Sequence, residues 1–214
     1  MGDERPISTV ERYLEFPPNR FGKRLRAAAR AIESVHGVTG LLRIPVEEIS
    51  SRNTNGEFRR HGGTGRPVAI AISSRGDHPE LTLMHEVGHF LEQTAIPGHK
   101  WGVRSWGFDP SITGFTEAVA KTEAVAGLRN LHEGTDDPIT KQYTSYLLMP
   151  DELWARCYAQ YVAIRSGNPS LSEQLELVRS PNPLRTIESQ WRDGDFKSVA
   201  RAIDILFLSI GWVQ

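Results

Sequence analysis

The stretch "LTLMHEVGHFLEQ", Leu81 to Gln93, constrains this chain more than any other. It has the apolar density of a helix that packs into a core, yet its middle carries His85, Glu86, Gly88 and His89. A helix that served packing alone would favour Ala at position 88, because an interior Gly costs about 1 kcal/mol. On a helical wheel Leu83, Met84, Val87, Phe90 and Leu91 form one apolar arc. His85 and His89 stand one turn apart on the other side, so both imidazoles can face one point. With Glu86 beside them they spell H-E-x-x-H, the spacing that holds a zinc ion and sets a carboxylate near its water. Gly88 falls between the apolar arc and the histidine face, where a missing side chain would let a strand or loop approach closely.

A catalytic zinc needs a third protein ligand and an open position. Three glutamates on predicted helices compete for the role: Glu117, Glu123 and Glu152. Glu152 is followed by Ala155 and Ala159 on its own face, small residues that would let its helix pack tightly against the histidine helix. Glu123 opens "EAVAG" and also has a small residue three positions on, so residue chemistry leaves the choice open. Arg156, four positions after Glu152, is placed to orient that carboxylate or to pair with it at the surface. Glu92 lies one turn past the histidine pair. It could accept the distal ring proton of a ligand histidine, or it could be an exposed helix Glu.

The remaining pattern predicts an α+β fold within a single domain over residues 1–214. An Ala- and Arg-rich helix is expected from Pro18 to His36. Short extended segments follow in "LLRIPVEEIS", "GEFRRH" and "PVAIAIS", divided by the turn-forming "RNTNG" and "HGGTGRP". Val68 to Ser73 is the best strand, and the histidine helix opens near Pro79 and closes before Pro97. "FTEAVAKTEAVAGLRNL" is expected to be one helix and "DELWARCYAQYVAIRSG" another, with helical pieces in the tail broken at "SPNP" and "RDGD". "AIDILFLSIGWV" is expected as a buried C-terminal helix or strand.

Composition excludes several classes of partner. The formal charge of −1 at pH 7 offers no electrostatic case for a nucleic acid or a membrane surface. The one dense basic run, "RFGKRLRAAAR", reads as a solvated helix face. No apolar run reaches membrane-spanning length, and no signal core is seen at the N-terminus. A single cysteine, Cys157, suits a reducing compartment and reads as a packing residue. The expected location is cytoplasmic.

"TLMHEVGHFLE" followed by "YLLMPDELWARCYAQYV" resembles the zincin-like metallopeptidase domains of phages and mobile elements, including the domain of Mu-type head-morphogenesis proteins. The similarity covers residues 55–165. It implies a zincin-like fold, a small mixed sheet packed on the H-E-x-x-H helix with a helical C-terminal half. It further implies Zn²⁺ held by His85, His89 and Glu152, with Glu86 as general base. Val87 and Glu92 depart from the aromatic residue and the Asp usual there. "HEVGH" and "LLMP" also resemble the ImmA/IrrE metallopeptidases, which cleave repressors. That likeness implies a third ligand ahead of "LLMP" and favours Glu123, although "DDPITKQYTSY" holds no glutamate.

The resulting expectation is a zinc peptidase acting on a protein or peptide substrate. Zinc would lower the pKa of its water and polarise the scissile carbonyl, and Glu86 would carry the proton to the leaving amine. The substrate is expected to add as a strand at the edge formed by Val68 to Ser73. Tyr143, Tyr146, Tyr158, Arg156 and His99 are the candidate oxyanion donors. Trp101 and Trp106 are candidates for a lid or pocket wall, while His36, His61, His78, His99 and His132 read as ordinary loop or helix-end residues. The alternatives are a catalytically silent zincin-fold binding protein and a repressor-cleaving regulatory protease.

Overall fold

The computed structural model describes residues 10–38, 40–96, 110–180 and 190–212. His99, Trp101 and Trp106 lie outside them. The fold is α+β: eight α-helices and a four-stranded mixed sheet among the described residues. Strands β1 (Leu14–Glu15), β2 (Ile44–Ile49), β3 (Gly56–Arg60) and β4 (Pro67–Ser73) lie in the order β1-β2-β4-β3. β1, β2 and β4 are parallel, with Leu14 opposite Ile44 and Val46 opposite Ile70. β3 runs antiparallel to β4, with Phe58 opposite Ile70.

This order corrects the sequence expectation for Val68 to Ser73. β4 is an inner strand with β2 on one side and β3 on the other, so it offers no edge. Ala69, Ile70, Ala71 and Ile72 are all buried, as suits a strand covered on both faces. The outer strand is β3, whose Arg59 pairs with Glu47 and Glu57. Charges of that kind are how exposed strands avoid pairing with other chains.

Helix α1 (Arg20–Glu33) makes the crossover from β1 to β2. The Asn19 side chain caps it by accepting from the Gly22 N–H at 2.8 Å. Leu25, Ala29 and Ile32 are buried, and the basic residues lie mostly outside. One of them, Arg24, reaches the buried Glu80 at the start of the next helix. That helix, α2 (Pro79–Thr94), opens with Pro in its first turn and follows β4 after a short turn. Gln174 of α7 (Pro169–Arg179) also bonds Glu80 and accepts the Leu81 N–H at 2.9 Å. The start of α2 is therefore fixed by α1 and α7 together.

The segment expected as one helix from Phe115 divides into α3 (Pro110–Ala120) and α4 (Glu123–Gly134). Thr122 takes extended backbone and caps α4, its hydroxyl accepting from Val125 and donating to the Val119 carbonyl. Asp195 receives the N–H groups of Glu123 and Ala124 at 2.8 and 3.0 Å. The break is thus completed by a residue far along the chain. "RDGD", expected to interrupt helix, instead starts α8 (Asp193–Ser209), where Asp193 and Asp195 complement the positive end of the helix dipole. The C-terminal apolar run is accordingly helix, with Val199, Ile203, Leu206 and Phe207 turned into the core.

Helix α5 (Pro138–Leu147) leads to α6 (Pro150–Ser166), which ends at Gly167 with φ 60°. α6 is buried from Trp154 to Ala163 and packs on α2. A Cβ at Gly88 would lie 2.9 Å from the Cα of Ala155 and 3.3 Å from Tyr158. The close approach expected of a strand or loop at Gly88 is therefore made by a helix. Trp154 fastens the contact by donating its indole N–H to the Gly88 carbonyl at 2.9 Å. No helix among the described residues is long and apolar enough to cross a membrane.

Candidate metal centre

The contact between α2 and α6 brings His85, His89 and Glu152 together. The two Nε2 atoms lie 3.2 Å apart. Glu152 Oε2 lies 3.5 Å from His85 Nε2 and 3.6 Å from His89 Nε2. A carboxylate oxygen of Glu86 and the ring nitrogens also fall within 4.8 Å of one another. Two carboxylates thus border the histidine pair, and Glu152 gives the tighter triangle.

The other two glutamates are elsewhere. Glu117 is exposed and pairs with Lys121 at 3.7 Å. Glu123 is exposed at the start of α4, its N–H held by Asp195. Neither lines the cleft over the histidines.

Electrostatics bind the triangle tightly. Burial alone would raise the Glu152 carboxyl, but the His85 charge and hydrogen bonds from His85, His89 and Tyr146 hold it well below the usual carboxylate range. Burial disfavours the charged form of His85, and the Glu152 carboxylate, with help from Glu86, more than offsets this and raises its pKa. Glu86 goes the other way. Its burial pushes the carboxyl pKa up against the pull of the two histidines.

β3 closes on Glu86 from the side opposite α6. Ser73 donates its N–H to the Asn55 carbonyl at 2.8 Å, so by alternation the backbone groups of Gly56 and Phe58 face the open side of β3. The Phe58 N–H, turned to that side, favours the ionised Glu86 carboxyl and opposes part of its burial. Gly56 runs so close that a Cβ would lie 2.5 Å from Thr82 and 2.8 Å from Glu86 Oε1. Sequence reasoning placed Gly56 at the end of the turn "RNTNG" and the start of the extended "GEFRRH", with no link to Glu86.

Arg156 is buried, not at the surface. Its Nε stands 3.9 Å from Glu152 Oε1, its guanidinium donates to the Leu147 carbonyl at 2.9 Å, and it lies over the Trp191 ring at 4.9 Å. Trp191 is held in turn by Thr122 and Gln160. Its part behind the site was not legible, because it lies in the tail segment "SQWRDGD". Glu92 is buried and is not the exposed alternative. Cys157 is buried, and burial raises its thiol pKa.

The candidate oxyanion donors separate by position. Tyr158 is buried behind the site with its hydroxyl 2.8 Å from His36 Nε2, so it cannot reach the cleft. Arg156 is engaged behind Glu152. Tyr143 and Tyr146 line the cleft, and Tyr146 bonds Glu152. His36 lies in the loop after α1 as expected, but it is buried, against Phe207 and Trp212. His132 bonds the Thr144 hydroxyl at 3.0 Å, tying α4 to α5.

Above the triangle lies an open cleft of about 740 Å³. Comparison with known proteins finds no matching family model, no matching curated protein and no matching solved structure.

Proposed function

We propose that the protein is a zincin-like, zinc-dependent metallopeptidase, with His85, His89 and Glu152 as the metal ligands and Glu86 as general base. The observation that carries this reading is the triangle of 3.2, 3.5 and 3.6 Å among two imidazole nitrogens and one carboxylate oxygen. Ligands at tetrahedral zinc, with bonds of about 2.0–2.2 Å, stand about 3.3–3.6 Å from one another, so the residues fit the ion. Without an ion the two imidazole nitrogens can share one N–H···N hydrogen bond at 3.2 Å, and a divalent cation would take the place of that proton.

Zinc held there would polarise a scissile carbonyl and acidify a water. The remaining chemistry belongs to side chains of this chain. Glu86, raised in pKa and steadied by the Phe58 N–H, is suited to take a proton from the attacking water and pass it to the leaving amine. Arg156 holds the second oxygen of Glu152, which leaves the first turned to the histidines. The outer strand β3 passes beside Glu86 and is the edge to which an extended peptide could add.

The test is metal content and peptide cleavage in parallel. Wild type should bind one zinc and Glu152→Ala should lose it. Glu86→Gln should keep zinc and lose at least about a hundredfold in cleavage rate. Full zinc in Glu152→Ala, or full activity in Glu86→Gln, overturns the assignment. Zinc without any cleavage would favour a silent binding protein.

A further inference from the structure

Helix α5 is amphipathic in an inverted sense. The side chains it buries are Thr144 and Leu147, with the Thr144 hydroxyl bonded to His132. Its other bulky residues face outward: Ile139 is 77 % exposed, Tyr143 44 % and Tyr146 45 %. These three, at i, i+4 and i+7, form one stripe, and all three line the cleft that contains His85, Glu86 and Glu152. The Tyr143 and Tyr146 rings lie nearly parallel, 22° apart, with centroids separated by 6.4 Å. An apolar stripe on open water, continuous with a reactive cluster, is a surface that gains by being covered.

The rest of the cleft narrows what could cover it. Asn53, Thr54 and Asn55 form a polar rim beside the open edge of β3, suited to a peptide main chain. Among the described residues, the carboxylates and guanidinium on the lining are Glu86, Glu152 and Arg156, and these already engage one another or the histidines. Among the described lining residues, the α5 side carries no acidic or basic group to select a charged side chain.

We infer that Ile139, Tyr143 and Tyr146 form the specificity wall of the cleft, selecting peptides with a large aliphatic or aromatic side chain next to the bond that is cut. This rests on the peptidase reading for its chemistry, but the wall is a binding surface whether or not a bond breaks. The main chain would lie along β3 and the selected side chain would cross to α5.

The experiment digests a mixed peptide library with the zinc-loaded full chain and maps the cut sites by mass spectrometry. Sites with Leu, Ile, Met, Phe, Tyr or Trp on one side of the bond should dominate. Tyr143→Ala and Ile139→Asp should lower kcat/KM at those sites by about tenfold to a hundredfold relative to cuts beside Ala or Ser in the same variant. Tyr143→Phe should retain the preference. Both positions are exposed, so the variants should melt with wild type. Cutting without an apolar preference, or a preference that survives Tyr143→Ala and Ile139→Asp, overturns the wall. If wild type cuts nothing, the same library is passed over immobilised zinc-loaded protein. Retention of apolar peptides that is lost in Tyr143→Ala then upholds the wall and refutes the peptidase, whereas no selective retention refutes the wall as well.

Discussion

Gly56 and Glu86 meet with no room for a side chain between them: a Cβ on Gly56 would stand 2.8 Å from Glu86 Oε1. The backbone of β3 and the proposed base therefore share one volume. Gly56→Ala should displace the carboxylate without touching the proposed metal ligands. The expected result is unchanged zinc content with a fall in kcat of about tenfold or more, read by metal analysis and steady-state kinetics on the same sample. Unchanged kcat would show that Glu86 has slack the structure does not suggest.

The meeting of α2 and α6 makes Gly88→Ala a test of the whole site. The added methyl would press on Ala155 Cα at 2.9 Å, a backbone-bearing atom that cannot swing aside. Overpacking of this kind costs roughly 1–3 kcal/mol. We expect a drop in Tm of several degrees and weaker zinc binding, since the proposed ligands are divided between the two helices being pushed apart. Calorimetry with and without added zinc measures both.

Arg156 supports Glu152 from behind, and Trp191 supports Arg156. Arg156→Met should weaken zinc binding by about tenfold to a hundredfold, in the range seen when groups that orient a ligand are removed. Trp191→Leu should shift affinity in the same direction by less. A chelator competition titration gives both values, and equal affinity in all three proteins would remove Arg156 from the site.

Glu123→Ala and Glu117→Ala supply the contrast. Both side chains are exposed and away from the histidines, so zinc content should match wild type and Tm should stay within about 1 °C.

His36 makes stability depend on pH. Burial lowers its pKa from 6.5 to about 4, only partly opposed by the bond to the Gly37 carbonyl. The native protein keeps this ring neutral, with Nδ1 toward Gly37 and Nε2 toward the Tyr158 hydroxyl. The unfolded chain binds its proton near pH 6.5, so between that value and about 4 the unfolded state holds more protons. Stability therefore rises with pH through this window and is lost as pH falls from 6.5 to 4, by roughly 3 kcal/mol in all. Urea unfolding at a series of pH values should show this slope in wild type and a flatter one in His36→Gln.

What the sequence disclosed follows the range of the interactions involved. His85, Glu86 and His89 belong to one periodic helix and were legible because their geometry is local. Glu152 was legible as a contender through Ala155 and Ala159, whose small side chains prepare a helix contact; residue chemistry alone left Glu123 open, the resemblance favoured Glu152, and the fold sets Glu152 beside the histidines. β4 was misplaced at an edge although its unbroken apolar run is itself the mark of an inner strand, and the charges of "EFRR" the mark of an outer one. The helix expected from Phe115 hid its break because Thr122 caps α4 with partners, Asp195 and Trp191, that arrive from distant sequence. Gly56 resembled any turn glycine until α2 brought Glu86 against it.

His89 and Glu152 stand 63 positions apart along the chain, yet their side chains meet at 3.6 Å. An ion shared between them would close that span into a ring, as a disulfide does, and would restrict the unfolded chain far more than the folded one. A protease that nicked the intervening loops would then leave two fragments still tethered through the metal. The centre would set the lifetime of the native chain as well as its chemistry, because separating α2 from α6 would first require releasing the ion.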